Sequence, residues 1–352
     1  MGDNMQEKNG SKIFAKTELN RAARLLQKDK LVAFPTETVY GLGGNALNKK
    51  AVKSIFEAKG RPADNPLIVH IAERDSIQGL TLNSLSQAAK NLMAKFWPGP
   101  LTLILKKSKK VPEITTGGLD TVALRMPNHS LALKLIQLAG VPLAAPSANL
   151  SGRPSPTLAE HVITDLAGRI DGIVDGGQTG IGVESTVLDL SAEKPTLLRP
   201  GGITYESLKE ELSSIEIDPA VKTKFNGTAK EALAPGMKYK HYAPRAEVRI
   251  IEGKEADIAA KIKQLARQEE KVGIMASAEY QDYYEQGLVK VMGSRNNLSE
   301  ISNNIFKLLR EFDDLGVDKI LIEGLPEDGL GLAIMNRLRK SAGYQIIEAS
   351  RQ

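Results

Sequence analysis

The chain has 352 residues, of which 41% are hydrophobic and 25% charged, the balance of an ordinary soluble globular protein with roughly two domains rather than of a disordered or fibrous chain. It has no cysteine, which excludes a disulfide framework, a thiol nucleophile, an iron–sulfur cluster and a cysteine-ligated zinc site, and no two of its four histidines (His70, His129, His161, His241) are close enough in sequence to read as a metal centre. Lys and Arg number 47 against 42 Asp and Glu, a formal charge of +5, which fits either a solvated basic surface or a groove for a polyanion such as a nucleotide or RNA. In chain order, the polar start MGDNMQEKNGSK lacks a signal-type apolar stretch, and no apolar run approaches the ~20 residues of a membrane span, so the expectation is a cytoplasmic protein without a membrane contact. Helical spacing of Leu19, Ala22, Ala23 and Leu26 is followed by an apolar strand at 31–34. PTETVYGLGGNALN then reads as a turn-rich segment, and 49–60 as a helix ending near Gly60. Strands are expected in PLIVHIA, LTLILKK, TVALRMP, VPLAAPSAN, GIVDGG, ESTVLDL and TLLRPGG, with helices at 85–97, in SLALKLIQLAG and in LAEHVITDLAGRI. Strands and helices do not strictly alternate, which predicts a mixed α/β sheet.

From about 213 to 245 the pattern fades into a polar stretch with three prolines, read as a linker. Its tail, PGMKYKHYAP, crowds Lys238, Tyr239, Lys240, His241 and Tyr242 between prolines, a composition suited to covering a ligand's rings and phosphates. After 245 the rhythm becomes regular: VRII, EADIAAKIKQLARQ, VGIMAS, AEYQDYYEQ, LVKVMG, NLSEISNNIFKLLREFDDLG, KILIEGLP, LAIMNRLRKSAG. That is β-α repeated four times, the pattern of a doubly wound parallel sheet.

The chemistry-bearing residues sit in short motifs. Gly41-x-Gly43-x-x-Ala46 matches a dinucleotide fingerprint only on paper: four residues part it from its strand, and no Gly-Lys-Ser/Thr follows. A turn whose glycines let backbone approach a ligand is the better reading. In KGRPADNPL, Lys59 and Arg61 lie two apart on a stiff turn, fit to clamp phosphate oxygens. APSANLSGRPSPT crowds Ser147, Asn149, Ser151 and Ser155 into a loop after a strand, where ligands bind in open sheets. Arg125 and Arg199 each end an apolar strand, a costly place for a guanidinium unless an anion meets it. No G-x-S-x-G, HExxH or tight acidic pair stands out. The inventory of cations, hydroxyls and amides suits holding anions in register more than covalent or acid–base chemistry.

PTETVYGLG, KGRPADNPL, FWPGPLT, ALRMP, APSANLSG, ESTV and LRPGG stand in the order found in YrdC-like proteins, and the linker with the trailing α/β domain resembles the long, two-domain form of that family, the threonylcarbamoyl-AMP synthases. The resemblance implies a YrdC-like twisted mixed sheet with flanking helices over 1–212, a linker or lid over 213–245, and a smaller Rossmann-like doubly wound parallel-sheet domain over 246–352. It implies a nucleotidyltransferase that makes threonylcarbamoyl-adenylate and pyrophosphate from L-threonine, bicarbonate or CO₂, and ATP. Mg²⁺ is expected with the ATP, and no residue is assigned to a resident metal. A downstream threonylcarbamoyl transferase complex is the expected partner, and a tRNA contact is left open. By the same resemblance Lys59, Arg61, Ser147 and Asn149 surround the ATP phosphates. Asn65, Thr121, Ser155, Arg199 and Tyr242 serve the nucleotide, with Tyr239 and His241 competing for the part given to Tyr242. Thr38, His70, Arg125, Ala145 and Ser185 form the threonine pocket. The rival reading is an RNA-binding module without adenylate-forming activity.

Overall fold

The computed structural model describes residues 7–82, 85–223 and 242–349. The N-terminal domain runs through β1 (Glu7–Lys8), β2 (Ser11–Phe14), α1 (Leu19–Gln27), β3 (Val32–Phe34), β4 (Gly41–Asn45), α2 (Lys49–Lys59), β5 (Ile68–His70), α3 (Gln87–Phe96), β6 (Leu101–Lys106), α4 (Glu113–Thr116), β7 (Thr121–Arg125), α5 (Ser130–Ala139), β8 (Leu143–Ala144), α6 (Ala159–Leu166), β9 (Gly172–Val174), β10 (Thr186–Asp189), β11 (Thr196–Arg199), α7 (Tyr205–Glu211) and β12 (Glu216–Ile217). Its strands join in one mixed sheet, ordered β1-β2-β9-β3-β4-β8-β5-β7-β6-β10-β11-β12. The local causes are ordinary. Leu19, Ala22, Ala23 and Leu26 bury one stripe of α1. Asn48 caps α2 by accepting from the backbone N–H of Lys50 and Ala51, and Gly60 ends it in the left-handed conformation (φ 62°).

Two expectations change here. The glycine-rich stretch after Phe34 is a buried strand, β4, antiparallel to β3 and to β8, and not a turn. Residues 213–223, read as the start of the linker, belong to the sheet: β12 pairs in parallel with β11, and Val221 enters the core. The rest of that segment up to 241, with Lys238, Tyr239, Lys240 and His241, lies outside the described residues.

The C-terminal domain holds β13 (Glu247–Gly253), α8 (Glu255–Ala266), β14 (Val272–Ser277), β15 (Leu288–Gly293), α9 (Leu298–Leu315), β16 (Lys319–Glu323), α10 (Gly331–Ser341) and β17 (Ile346–Ala349). Its sheet is wholly parallel, ordered β15-β14-β16-β13-β17. Residues of α9 and α10 cluster on one face and residues of α8 on the other, the doubly wound arrangement. Here too the expectation is corrected in detail. AEYQDYYEQ makes only a 3-10 turn at Gln281–Tyr283, and β17 is an extra edge strand. Three tyrosines stacked edge to face occupy that turn, a packing that needs no helical period. The domains share a core: Val39 and Val183 of the first pack with Ile301, Phe306 and Ile334 of the second. Among the described residues no helix is long and apolar enough to cross a membrane.

Candidate active site

One cleft of the N-terminal domain, about 760 Å³ counted out to its open mouth, gathers most of the motif residues. The turn after β3 supplies Thr36 and Thr38. Thr36 Oγ1 donates to the Val39 carbonyl (2.7 Å) and lies 2.8 Å from Thr38 Oγ1, so these hydroxyls are held in place by their own turn. The end of α2 delivers Lys59, and Arg61 follows the left-handed Gly60. Ile68 and His70, two apart on β5, point to the same side. Arg125 ends β7, and the loop after β8 brings Ala145, Pro146, Ser147 and Asn149. Glu184 and Ser185 lead into β10, Arg199 ends β11, and Tyr242 enters from the segment before β13.

Burial sets the electrostatics. Lys59 donates from Nζ to the carbonyls of Ser147 (2.5 Å) and Asn149 (2.7 Å), and the Ser151 N–H donates back to the Lys59 carbonyl (2.9 Å). The lysine therefore staples the 145–152 loop to the end of α2. Burial, and then the Arg61 charge, pulls its pKa to about 7 against Asp165 and Glu184. Burial followed by Arg125 takes His70 down to about 3, so its imidazole is neutral at physiological pH. Arg125 Nη2 stands 2.8 Å from Glu37 Oε2, with both side chains largely buried. The angle falls short of a hydrogen bond, so the pair is ionic and both atoms keep hydrogen-bonding capacity for a ligand. Arg199 donates from Nε to the Ser185 carbonyl (3.0 Å) and from Nη2 to Ser185 Oγ (3.1 Å), and Ser185 Oγ meets Thr102 Oγ1 at 2.8 Å. Burial lowers Arg199 to about 10, which still leaves it charged. Ser147 Oγ donates to Asn149 Oδ1 (2.6 Å), and Asn149 Nδ2 donates to the Leu150 and Arg153 carbonyls, which fixes the loop's shape.

Of the residues singled out in the sequence, the structure brings Thr38, Lys59, Arg61, His70, Arg125, Ala145, Ser147, Asn149, Ser185, Arg199 and Tyr242 into this cleft. Three lie elsewhere. Thr121 sits at the other end of β7 from Arg125, four residues or about 13 Å along the strand, paired with Lys106. Asn65 is fully buried, and neither its amide oxygen nor its nitrogen has a hydrogen-bond partner among the described residues. Ser155 is behind the wall and donates to Glu184 Oε1 (2.5 Å). Sequence reasoning missed Glu37 and Glu184, the two carboxylates that face the arginines, because an isolated Glu in a loop looks like surface charge. It also missed Arg337, 153 residues from its partner Glu184, which no local pattern signals.

The cleft thus collects four guanidiniums (Arg61, Arg125, Arg153 and Arg199), hydroxyls and a neutral imidazole around one space, an arrangement that holds anions side by side. Comparison with known proteins agrees. Residues 24–201 match the family model described as "Telomere recombination", of the Sua5, YciO and YrdC proteins. Residues 203–343 match the model "Threonylcarbamoyl-AMP synthase, C-terminal domain". The threonylcarbamoyl-AMP synthase of Pyrococcus abyssi is 54% identical over 331 residues, covering 93% of this chain and 94% of that protein. That of Bacillus subtilis is 50% identical over 331 residues, covering 94% of each. The crystal structure of P. abyssi Sua5 complexed with L-threonine superposes with a TM-score of 0.90 at 50% identity, over 96% of this chain and 99% of that one. Both domains, their order and the cleft between their motifs place this chain in the threonylcarbamoyl-AMP synthase family, as an enzyme of the nucleotidyltransferase class.

Proposed function

We propose that the enzyme condenses L-threonine, bicarbonate or CO₂, and ATP into threonylcarbamoyl-adenylate, releasing pyrophosphate, as the first step of threonylcarbamoyl modification of adenosine beside the anticodon of ANN-decoding tRNAs. The observation that carries this reading is the convergence of Arg61, Arg125 and Arg199 with Ser147 and Asn149 on one cleft. The threonine complex of the 50% identical P. abyssi protein supports the amino-acid side. Threonine's amine adds to CO₂ and gives up a proton, forming an N-carboxy anion. A carboxylate oxygen of that anion bonds to the α-phosphorus as the bond to the bridging oxygen breaks, and pyrophosphate departs. Three anionic groups must lie in line, and the cations offset their repulsion; such alignment is worth on the order of 7–11 kcal/mol.

On this reading Arg125 takes the amino acid's carboxylate, with Thr38, His70, Ala145 and Ser185 around it. Arg61 and Ser147 meet phosphate oxygens, while Lys59 and Asn149 hold the loop that carries Ser147. Arg199 and Tyr242 serve the nucleotide, and among the described residues the side chain of Asn65 keeps a donor and an acceptor unused. Ser155 acts from behind, through Glu184. The carboxylates near the cleft each face an arginine, Glu184 Arg337 and Glu37 Arg125, and among the described residues no group of three acidic or histidine ligands stands together. That donor set does not suit a resident Mg²⁺; the ion enters as part of the ATP substrate, on its phosphates. A separate transferase complex then takes the adenylate to tRNA. The test is pyrophosphate release with all three substrates and with each omitted in turn. Release should vanish without threonine and drop sharply without bicarbonate. Release that ignores threonine would refute the assignment.

A further inference from the structure

The cleft is not built by its own domain alone. Arg337 of α10 is 1% exposed and spends its guanidinium on the other domain. Its Nε donates to Glu184 Oε2 at 2.6 Å and its Nη2 to the Pro200 carbonyl at 2.9 Å, while Nη1 donates to Asn336 Oδ1 at 2.7 Å. Asn336 in turn donates to the Val221 carbonyl (2.6 Å), so two successive polar side chains of α10 are given to the seam. A buried ion pair is a poor stabiliser, and apolar residues of like volume serve as well or better. What this one touches is more telling. Glu184 lines the cleft and accepts from Ser155 Oγ and from the Tyr242 hydroxyl. Pro200 follows Arg199, whose own Nε reaches back to Ser185. The guanidinium of Arg337 also lies 5.6 Å from the centre of the Tyr242 ring.

We propose that Arg337 is a positioning residue of the active site supplied by the C-terminal domain: by clamping Glu184 and the Pro200 carbonyl together, it sets Arg199, Ser155 and Tyr242 in register on the nucleotide side. This rests on the assignment of that side to ATP. Burial opposes the charge on Glu184, but Arg337 and Arg199, with the Ser155 hydroxyl, outweigh it and hold the carboxyl at about 2. The other charged or titratable groups facing Glu184 are Lys340 of α10, Tyr242, and Lys59 of α2. Without Arg337 the Glu184 carboxyl rises, and a protonated Glu184 no longer balances Arg199.

The test uses the full chain carrying Arg337→Lys, Arg337→Met, Glu184→Gln, and Glu184→Gln with Arg337→Met. Pyrophosphate release is followed with ATP varied at saturating threonine, from pH 5.5 to 9. Arg337→Met should lower kcat/KM for ATP at least tenfold and add a loss on the acid side that the wild type lacks. The double variant should have no such acid limb. Arg337→Lys keeps the charge but not the fork, and should fall between Arg337→Met and wild type with a melting temperature close to wild type. Should Arg337→Met fail to fold, Arg337→Lys carries the test alone. Wild-type kcat/KM for ATP in a folded Arg337→Lys, or an unchanged pH profile in a folded Arg337→Met, overturns the proposal. If the wild type binds ATP by calorimetry but releases no pyrophosphate with threonine, the functional reading fails by itself; the clamp is then judged on ATP affinity, and equal affinity in wild type and Arg337→Lys overturns it. A wild type that binds no ATP overturns both.

Discussion

A buried imidazole with an arginine as neighbour has a defined effect on stability. His70 is 3% exposed, its Nδ1 lies 3.3 Å from the Ile68 carbonyl, and burial followed by the Arg125 charge holds its pKa at about 3. In the unfolded chain the same group titrates near 6.5. Between those values the unfolded chain carries a proton that the native protein does not. Stability therefore falls as pH drops below 6.5, by up to about 1.4 kcal/mol per pH unit, and His70 contributes no slope above that point. Glu184 adds a further acid-sensitive contribution, present above the ordinary carboxylate range and lost as pH falls toward 2, so the window from 6.5 to 4.5 belongs to the imidazoles: His70, His161, which burial holds at about 4, and the partly buried His129, lowered by the same cause. His70→Asn keeps a polar side chain without a titrating ring. Melting curves of the ligand-free protein between pH 7 and 4.5 should fall less steeply in the variant. Parallel curves would show that His70 takes up its proton while folded. Residues of this kind were half legible: the family motif marked His70 as a candidate pocket residue, but that it stays neutral follows from its burial in the fold and then from Arg125 on the neighbouring strand, paired in register with it.

At the scale of elements, β4 shows what a glycine-rich strand is for. A Cβ on Gly43 would stand 2.7 Å from Cε1 and 3.2 Å from Cδ1 of Phe34, whose ring comes from the partner strand β3. Gly43→Ala should cost roughly 1–3 kcal/mol in urea denaturation, the usual range for overpacking a filled core. Adding Phe34→Leu should return part of that loss, since the clash is with the ring. Equal losses in the single and double variants would place the strain elsewhere. The helices α1, α2 and α5 were legible in the sequence because their apolar spacing, the Asn48 cap of α2 and the closing glycines of α2 and α5 are local signals. β4 was not, since three small residues carry no hydrophobic period and it is the overlying Phe34 that makes them a strand. β12 and β17 escaped notice for a related reason. They are short edge strands of two and four residues, defined by the neighbour that accepts their pairing.

Across the whole molecule, the seam between the domains is written in residues far apart in sequence, which is why the domain order could be read and the contact could not. Arg310 of α9 reaches Asp165 of α6 with two guanidinium nitrogens, Nη2 to Oδ2 at 2.8 Å and Nη1 to Oδ1 at 3.2 Å, and donates to the Pro154 carbonyl at 2.5 Å. Both side chains are buried, and Asp165 also holds Arg153 (2.6 Å) and the Leu150 N–H (3.3 Å), so the bridge anchors the loop that carries Ser147 and Asn149. Removing Arg310 takes two charge-assisted hydrogen bonds from the buried Asp165, leaving it Arg153 and the Leu150 N–H, and strips the Pro154 carbonyl of a donor. Arg310→Met should cost about 3–5 kcal/mol, whereas Asp165→Leu with Arg310→Met should cost much less, because both charges then leave together and Arg153, 29% exposed, can turn to solvent. Because the two domains share apolar core as well as this bridge, the wild type should melt in one calorimetric transition, and Arg310→Met should lower that transition without splitting it. Two separated transitions in the wild type would mean that the domains fold independently. A double variant as unstable as Arg310→Met would mean that the loop, rather than the buried charge, is what Arg310 secures.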